Sequence, residues 1–286
     1  MSQTLLRNSL TIAIFLAISW TVLSIEEYDY DENNPELAGY LEGDIVPDSL
    51  TRNGYPDRKW PNNTIKYVFS WSFTEAQKET VRKCCRELEN RTCVHCRETI
   101  FLDYGYVYLT NEEGGCFSQV GFQPYPFAQI MNLGPNCLKN HVIVCHEFMH
   151  ALGLSHAHNS YDRDDHVRIN FENIKEGNEY NFEKKEDSLD CLVPYDRESA
   201  MGYGPYVGSK NGNETITPLD GNYTGMGQRK RIADSDIEKI NRIYCYNNCT
   251  ATTNTTTTTT TTTAATTTIT EETTTTEETT TTTIMW

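Results

Sequence analysis

The stretch His146-Glu147-Phe148-Met149-His150-Ala151-Leu152-Gly153-Leu154-Ser155-His156 decides how the rest of the chain is read. Residues four apart on an α-helix share a face, so His146 and His150 can reach one metal ion together. Glu147 lies beside that pair and can address water held by the same ion. Gly153 permits a turn at positive φ that a residue with a Cβ resists, and the chain can then bring His156 round as a third ligand. Three imidazoles leave one coordination position open to water, the pattern of a catalytic zinc site and not of a closed structural one. Paired histidines on a helix recur by chance, but here a glycine and a third histidine follow, and three of the chain's seven histidines fall within eleven residues.

Outward from this segment the pattern is helical over residues 139–152, with Val142, Ile143, Cys145, Phe148, Met149 and Leu152 as the buried side. A second helix is expected over 74–89, where Thr74 and Gln77 form a capping box and Ala76, Val81, Cys84, Cys85 and Leu88 line one side. A third is expected over 235–244, on Ile237, Ile240, Ile243 and Tyr244. The runs 65–70 (IKYVFS) and 104–109 (YGYVYL) read as strands. Two early strands and three separated helices suit a mixed α/β domain.

The ends have a different character. Residues 1–24, with Arg7 before an apolar run from Leu10 to Leu23, read as an export signal, too short to be a membrane anchor. Residues 25–52 carry nine carboxylates and one base, Arg52, and suit either a solvated linker or a removable prosegment. Residues 53–249 hold all ten cysteines, which in an exported domain argues for a disulfide framework formed under oxidising conditions. Residues 250–286 include 25 threonines and neither glycine nor proline, so no core is possible and an extended, disordered, O-glycosylated stalk is expected. Sequons at Asn62, Asn90, Asn213, Asn222, Asn248 and Asn254 suit an exported surface. With 24 basic against 40 acidic residues, a net charge of −16, the chain lacks the basic footprint of a nucleic-acid binder.

In its motifs the sequence resembles the astacin family of zinc metalloendopeptidases, within the metzincin group. The likeness continues past the zinc segment through Asp162-Arg163-Asp164 and Val167-Arg168-Ile169-Asn170 to Ser199-Ala200-Met201-Gly202-Tyr203, which resembles the family's Met-turn 45 residues beyond His156. Gly227-Gln228-Arg229, Asp236 to Asn241 and Tyr244-Cys245 resemble later landmarks, and Trp60-Pro61 the start of the mature domain. The resemblance implies an α+β, two-lobed domain. Its upper lobe would be a twisted mixed β-sheet with helices, the zinc helix among them, and its lower lobe mostly irregular with a C-terminal helix. It implies a secreted endopeptidase whose protein substrates lie extended along the upper lobe's edge strand.

Roles follow from the same resemblance. His146, His150 and His156 would hold Zn2+, which acidifies bound water and polarises the scissile carbonyl. Glu147 would be the general base. Tyr203 would ligate the metal at rest and swing to the oxyanion, Met201 would lie beneath the ligands, and Gly153 would make the turn. Leu41-Glu42-Gly43-Asp44 resembles the family's prosegment motif, with Asp44 capping the metal in the zymogen only. Activation would be a cut after Arg52 by a trypsin-like protease, with Arg58 and Lys59 as nearby alternatives. Pairs Cys93–Cys245 and Cys116–Cys137 are implied. Cys84, Cys85, Cys96 and Cys249 are left to additional clips, and a Cys145–Cys191 pair is conceivable. Two positions depart from the family: Ala157 replaces the glutamate that anchors the mature N-terminus, and Gly202 replaces a Met-turn histidine. The other classes considered are a catalytically silent binding or adhesion protein working through its stalk, and a zinc amidase acting on cell-wall material. No stable membrane insertion is expected.

Overall fold

The structure, a computed structural model, describes residues 36–47, 58–101, 103–112, 114–123, 128–184, 191–246 and 249. The export signal, Arg52 with the proposed cut, the sequons at Asn248 and Asn254 and the threonine tail lie outside these residues. The chain divides into units of Met1–Ala251 and Thr252–Trp286, and every described residue belongs to the first.

Five strands, β1 (Thr64–Phe69), β2 (His95–Glu98), β3 (Tyr106–Thr110), β4 (Cys116–Ser118) and β5 (Ala128–Leu133), form one sheet in the order β2-β1-β3-β5-β4. Only the β4–β5 pair is antiparallel. The sheet is therefore mixed, with β4 on an edge. Strand β3 begins two residues later than the sequence pattern implies, because Gly105 takes φ +62° and breaks the extended run. Strand β2 escapes a sequence reading: its four residues, HCRE, carry no apolar alternation and lie on the other edge, mostly exposed.

Helix α1 (Glu75–Arg91) starts at the expected box: the Gln77 amide donates to Thr74 Oγ1 and the Thr74 amide to Gln77 Oε1. Val81, Cys84, Cys85 and Leu88 are buried, whereas Ala76 is exposed, since burial on this helix begins at Val81. Helix α2 (His141–Ala151) starts later than 139, because Cys137–Lys139 form a separate 3-10 turn and Asn140 Oδ1 accepts the Val142 amide as the cap. Every residue from Val144 to Ala151 is buried, so α2 has no solvent face. Ile143, expected in the core, is only half-buried.

The last carbonyls of α2 have no partner within the helix and take one from distant segments. Trp60 Nε1 donates to Ala151 O at 2.7 Å and the Tyr244 hydroxyl to Leu152 O at 3.0 Å. The start and end of the domain thus meet at the end of the histidine helix. Below it, β6 (Val167–Ile169) and β7 (Ile216–Pro218) pair antiparallel among short 3-10 turns. Helix α3 (Asp234–Ile240) passes into a wider π turn, Asn241–Cys245. This is the two-lobed α+β architecture, with a main core under the sheet and a small second one around Val167, Ile174, Phe182, Tyr203 and Ile216.

Four disulfides link Cys84–Cys145, Cys93–Cys245, Cys116–Cys137 and Cys191–Cys249. The conceivable Cys145–Cys191 pair is not formed. Packing of α1 against α2 brings the Cα atoms of Cys84 and Cys145 to 5.4 Å, and Cys191 lies beside the end of the domain at Cys249. The sequons at Asn62, Asn90, Asn213 and Asn222 are all exposed. No helix among the described residues is long and apolar enough to cross a membrane.

Candidate active site

Helix α2 places His146 and His150 one turn apart, and Gly153, at φ +105°, reverses the chain behind them. The Gly153 and Leu154 amides donate back to His150 O and Met149 O, closing the helix. His156 then returns to the same point, at the start of a 3-10 turn. His146 Nε2 lies 3.0 Å from His150 Nε2 and 3.2 Å from His156 Nε2, and all three rings are fully buried.

Each ring is oriented by its other nitrogen. His146 Nδ1 donates to Ala200 O and His150 Nδ1 to Leu154 O, both at 2.8 Å, while His156 Nδ1 lies 2.9 Å from Glu42 Oε2. These contacts turn three Nε2 lone pairs onto one point. Asp44, also fully buried, closes the fourth side. Its Oδ2 is 3.0 Å from His146, and its Oδ1 is 3.5 Å from His150 and 3.3 Å from His156. Ligands about 2.05 Å from a tetrahedral zinc stand about 3.3 Å apart, so edges of this length fit that ion. The donor set itself, three imidazoles and a carboxylate, suits Zn2+, and we assign Zn2+ to it.

Glu147 is buried beside this cluster, and neither of its oxygens takes a hydrogen bond from a protein group. Burial, then the charges of Asp44 and Glu36, hold its carboxyl well above the usual carboxylate range. Tyr203 lies at the rim, stacked on His158 with ring centres 3.8 Å apart, and donates its hydroxyl to Glu42 O. Burial, then the neighbouring carboxylates, push its phenol well up, so it serves as a donor.

Met201 is buried, and its carbonyl accepts the Ala157 amide at 3.0 Å. Ala157, where the resemblance expects a glutamate, is itself buried and brings no carboxylate. His158 fills the lower lobe and meets Asn181 O through Nε2; burial and then His156 hold it well below the usual histidine value. A Cβ on Gly202 would stand 3.2 Å from Ser199 O, so the turn is close-packed without the histidine.

Residues 36–47 lie across the mouth of this site. Gly43 takes φ +87°, and a Cβ there would meet Glu36 O at 2.8 Å and the Tyr203 hydroxyl at 3.0 Å, so only glycine lets the backbone descend. Ser118 on β4 donates to Asp44 O and accepts the Val46 amide, both at 2.9 Å. The segment therefore occupies the sheet edge expected to receive substrate. Two contacts were missed in the sequence. The Glu42 amide donates to Asn181 Oδ1 at 2.6 Å, and Arg229 Nε reaches both Glu36 oxygens at 2.7 and 2.9 Å. Burial raises the Glu36 carboxyl, but Arg229 outweighs it and holds the group below its usual value. A third missed residue is Asp236, which accepts from the Ser199 hydroxyl and from the Ala200 and Ala233 amides, supporting the turn that carries the His146 partner.

Residues 52–245 match the family model described as Astacin, a peptidase family. The chain belongs to the astacin family. It is similar to the low choriolytic enzyme of Oryzias latipes, 36% identical over 224 residues that span 74% of this chain and 80% of that protein. It is also similar to zinc metalloproteinase nas-14 of Caenorhabditis elegans, 39% identical over 193 residues, 66% of this chain and 38% of the relative. Among solved structures it resembles high choriolytic enzyme 1, a hatching enzyme zinc-protease from Oryzias latipes. That match has a TM-score of 0.59 at 30% identity and covers 70% of this chain and 98% of that one. With its zinc-ligand set intact, this astacin is a zinc-dependent metalloendopeptidase and not a silent binding protein.

Proposed function

We propose that this astacin is exported as a latent enzyme, with residues 1–24 as signal, 25–52 as inhibitory prosegment, 53–249 as catalytic domain and 250–286 as a threonine-rich stalk. The reading rests above all on one observation: Asp44 converges with His146, His150 and His156 on a single buried point. Zinc bound there supplies Lewis acidity and an acidified water. Glu147 takes the proton from the attacking water and delivers it to the leaving amine. Once residues 36–47 leave, Tyr203 loses Glu42 O as acceptor, and its hydroxyl is free to donate to the tetrahedral oxyanion. Export is supported by four disulfides, which persist in oxidising compartments.

Four of the latch's contacts bear on the catalytic groups: Asp44 at the metal point, Glu42 on His156, Glu42 O on Tyr203, and Glu36 on Arg229. A cut after Arg52 by a trypsin-like activator would release all four. It would also leave the half-buried guanidinium of Arg229 without its carboxylate partner. An acidic side chain just beyond the scissile bond would restore that pairing.

The full chain, nicked after Arg52 by trypsin, should cleave casein or gelatin, and the uncut chain should not. A chelator and Glu147→Gln should each abolish cleavage. Undiminished activity in Glu147→Gln would remove that residue from its role, and equal activity before and after nicking would remove latency.

A further inference from the structure

Eight of the ten cysteines are bridged, and the remaining two, Cys85 and Cys96, are neighbours. Cys85 is buried on the inner face of α1, beside bridged Cys84. Cys96 sits on edge strand β2, opposite Ile65 of β1. One contact ties the strand to the helix beside the two cysteines. The Cys96 amide donates to Glu89 Oε1 at 2.9 Å, and Glu89 lies one helical turn beyond Cys85 on the same face of α1. The Cys96 thiol is held well above its usual value, by the neighbouring Cys85 first and then by burial. Cys85 belongs to the main core cluster, and half-buried Cys96 packs against it.

We propose that Cys85 and Cys96 close a fifth disulfide in the matured protein, stapling edge strand β2 to α1. The oxidant is a disulfide donor of the export compartment, either glutathione disulfide or an oxidoreductase disulfide. One cysteine thiolate attacks a donor sulfur and expels a donor thiol, forming a mixed disulfide. The second thiolate attacks the protein sulfur of that intermediate and expels the other donor thiol. Two electrons pass to the donor, the protein S–S bond forms as the donor S–S bond breaks, and both protons leave on the released thiols. Strand β2 gains most: its hydrogen-bonded neighbour lies on one side only, and its residues are largely exposed.

The test is a thiol count on the full chain, secreted from a eukaryotic host and denatured in guanidinium with Ellman's reagent. Five bridges predict zero thiols per chain; two thiols would overturn the proposal. Because Cys84 and Cys85 share any peptide, Cys85→Ser and Cys96→Ser resolve the pairing, with the exposed thiol alkylated and mapped by mass spectrometry. Each variant should show one thiol, at Cys96 and Cys85 respectively. A thiol at Cys145 in Cys85→Ser would mean that Cys85 bonds Cys145, and would refute the assignment. A non-reducing digest of the unmutated protein tests the link itself without relying on either variant to fold: the peptide holding Cys96 must run linked to that holding Cys84 and Cys85, and its absence from that complex would overturn the proposal.

Discussion

Asp236 does not touch the metal point, yet its loss should reach it. Its carboxylate is fully buried and accepts the Ala200 amide at 2.8 Å, the Ala233 amide at 3.1 Å and the Ser199 hydroxyl. In Asp236→Ala the serine hydroxyl can rotate, but two backbone N–H groups are left buried without acceptors. At about 1–3 kcal/mol for each orphaned donor, the variant should lose about 2–6 kcal/mol. That is a large part of the roughly 5–15 kcal/mol typical of a domain. Asp236→Asn keeps one oxygen and turns an N–H2 toward the remaining donor, so it should lose less. Urea unfolding of the uncut chain, followed by tryptophan fluorescence, gives both values. The same variants should bind zinc more weakly, because Ala200 O, which orients His146 through Nδ1, belongs to the loosened turn. An alanine variant within about 1 kcal/mol of the parent, or one that loses stability with zinc affinity intact, would refute the proposed support chain.

Three further outcomes are expected. Tyr203→Phe removes the oxyanion donor while keeping the ring on His158, so kcat of the nicked enzyme should fall by roughly 100-fold or more with KM little changed; an unchanged kcat would exclude the role. Asp44→Ala and Glu36→Gln should each raise casein cleavage by the uncut chain, the first more strongly, and silence in both would dismiss the latch. Removing zinc with a chelator should lower the unfolding midpoint of the Glu147→Gln chain, and readdition should restore about 1.4 kcal/mol per tenfold rise in free zinc above Kd. A midpoint indifferent to zinc would argue against metal in the native site.

Local chemistry is what the sequence could carry. The i, i+4 spacing of His146 and His150, the freedom of Gly153 and the capping box at Thr74 act within one or two turns of chain, so their outcome was readable from residue order. The prosegment motif around Asp44 was legible through family likeness rather than physics. The tertiary structure decided whatever depends on distant segments meeting. Glu42 and Glu36 were two of nine carboxylates in an acidic stretch until folding set one against His156 and the other against Arg229, 193 residues away. Cys145 has no sequence mark pointing to Cys84; the packing of α1 on α2 chose it. Short β2 and the orientation of Asp236 were likewise invisible, because a four-residue polar edge strand has no periodicity and a buried carboxylate is defined only by the donors that surround it.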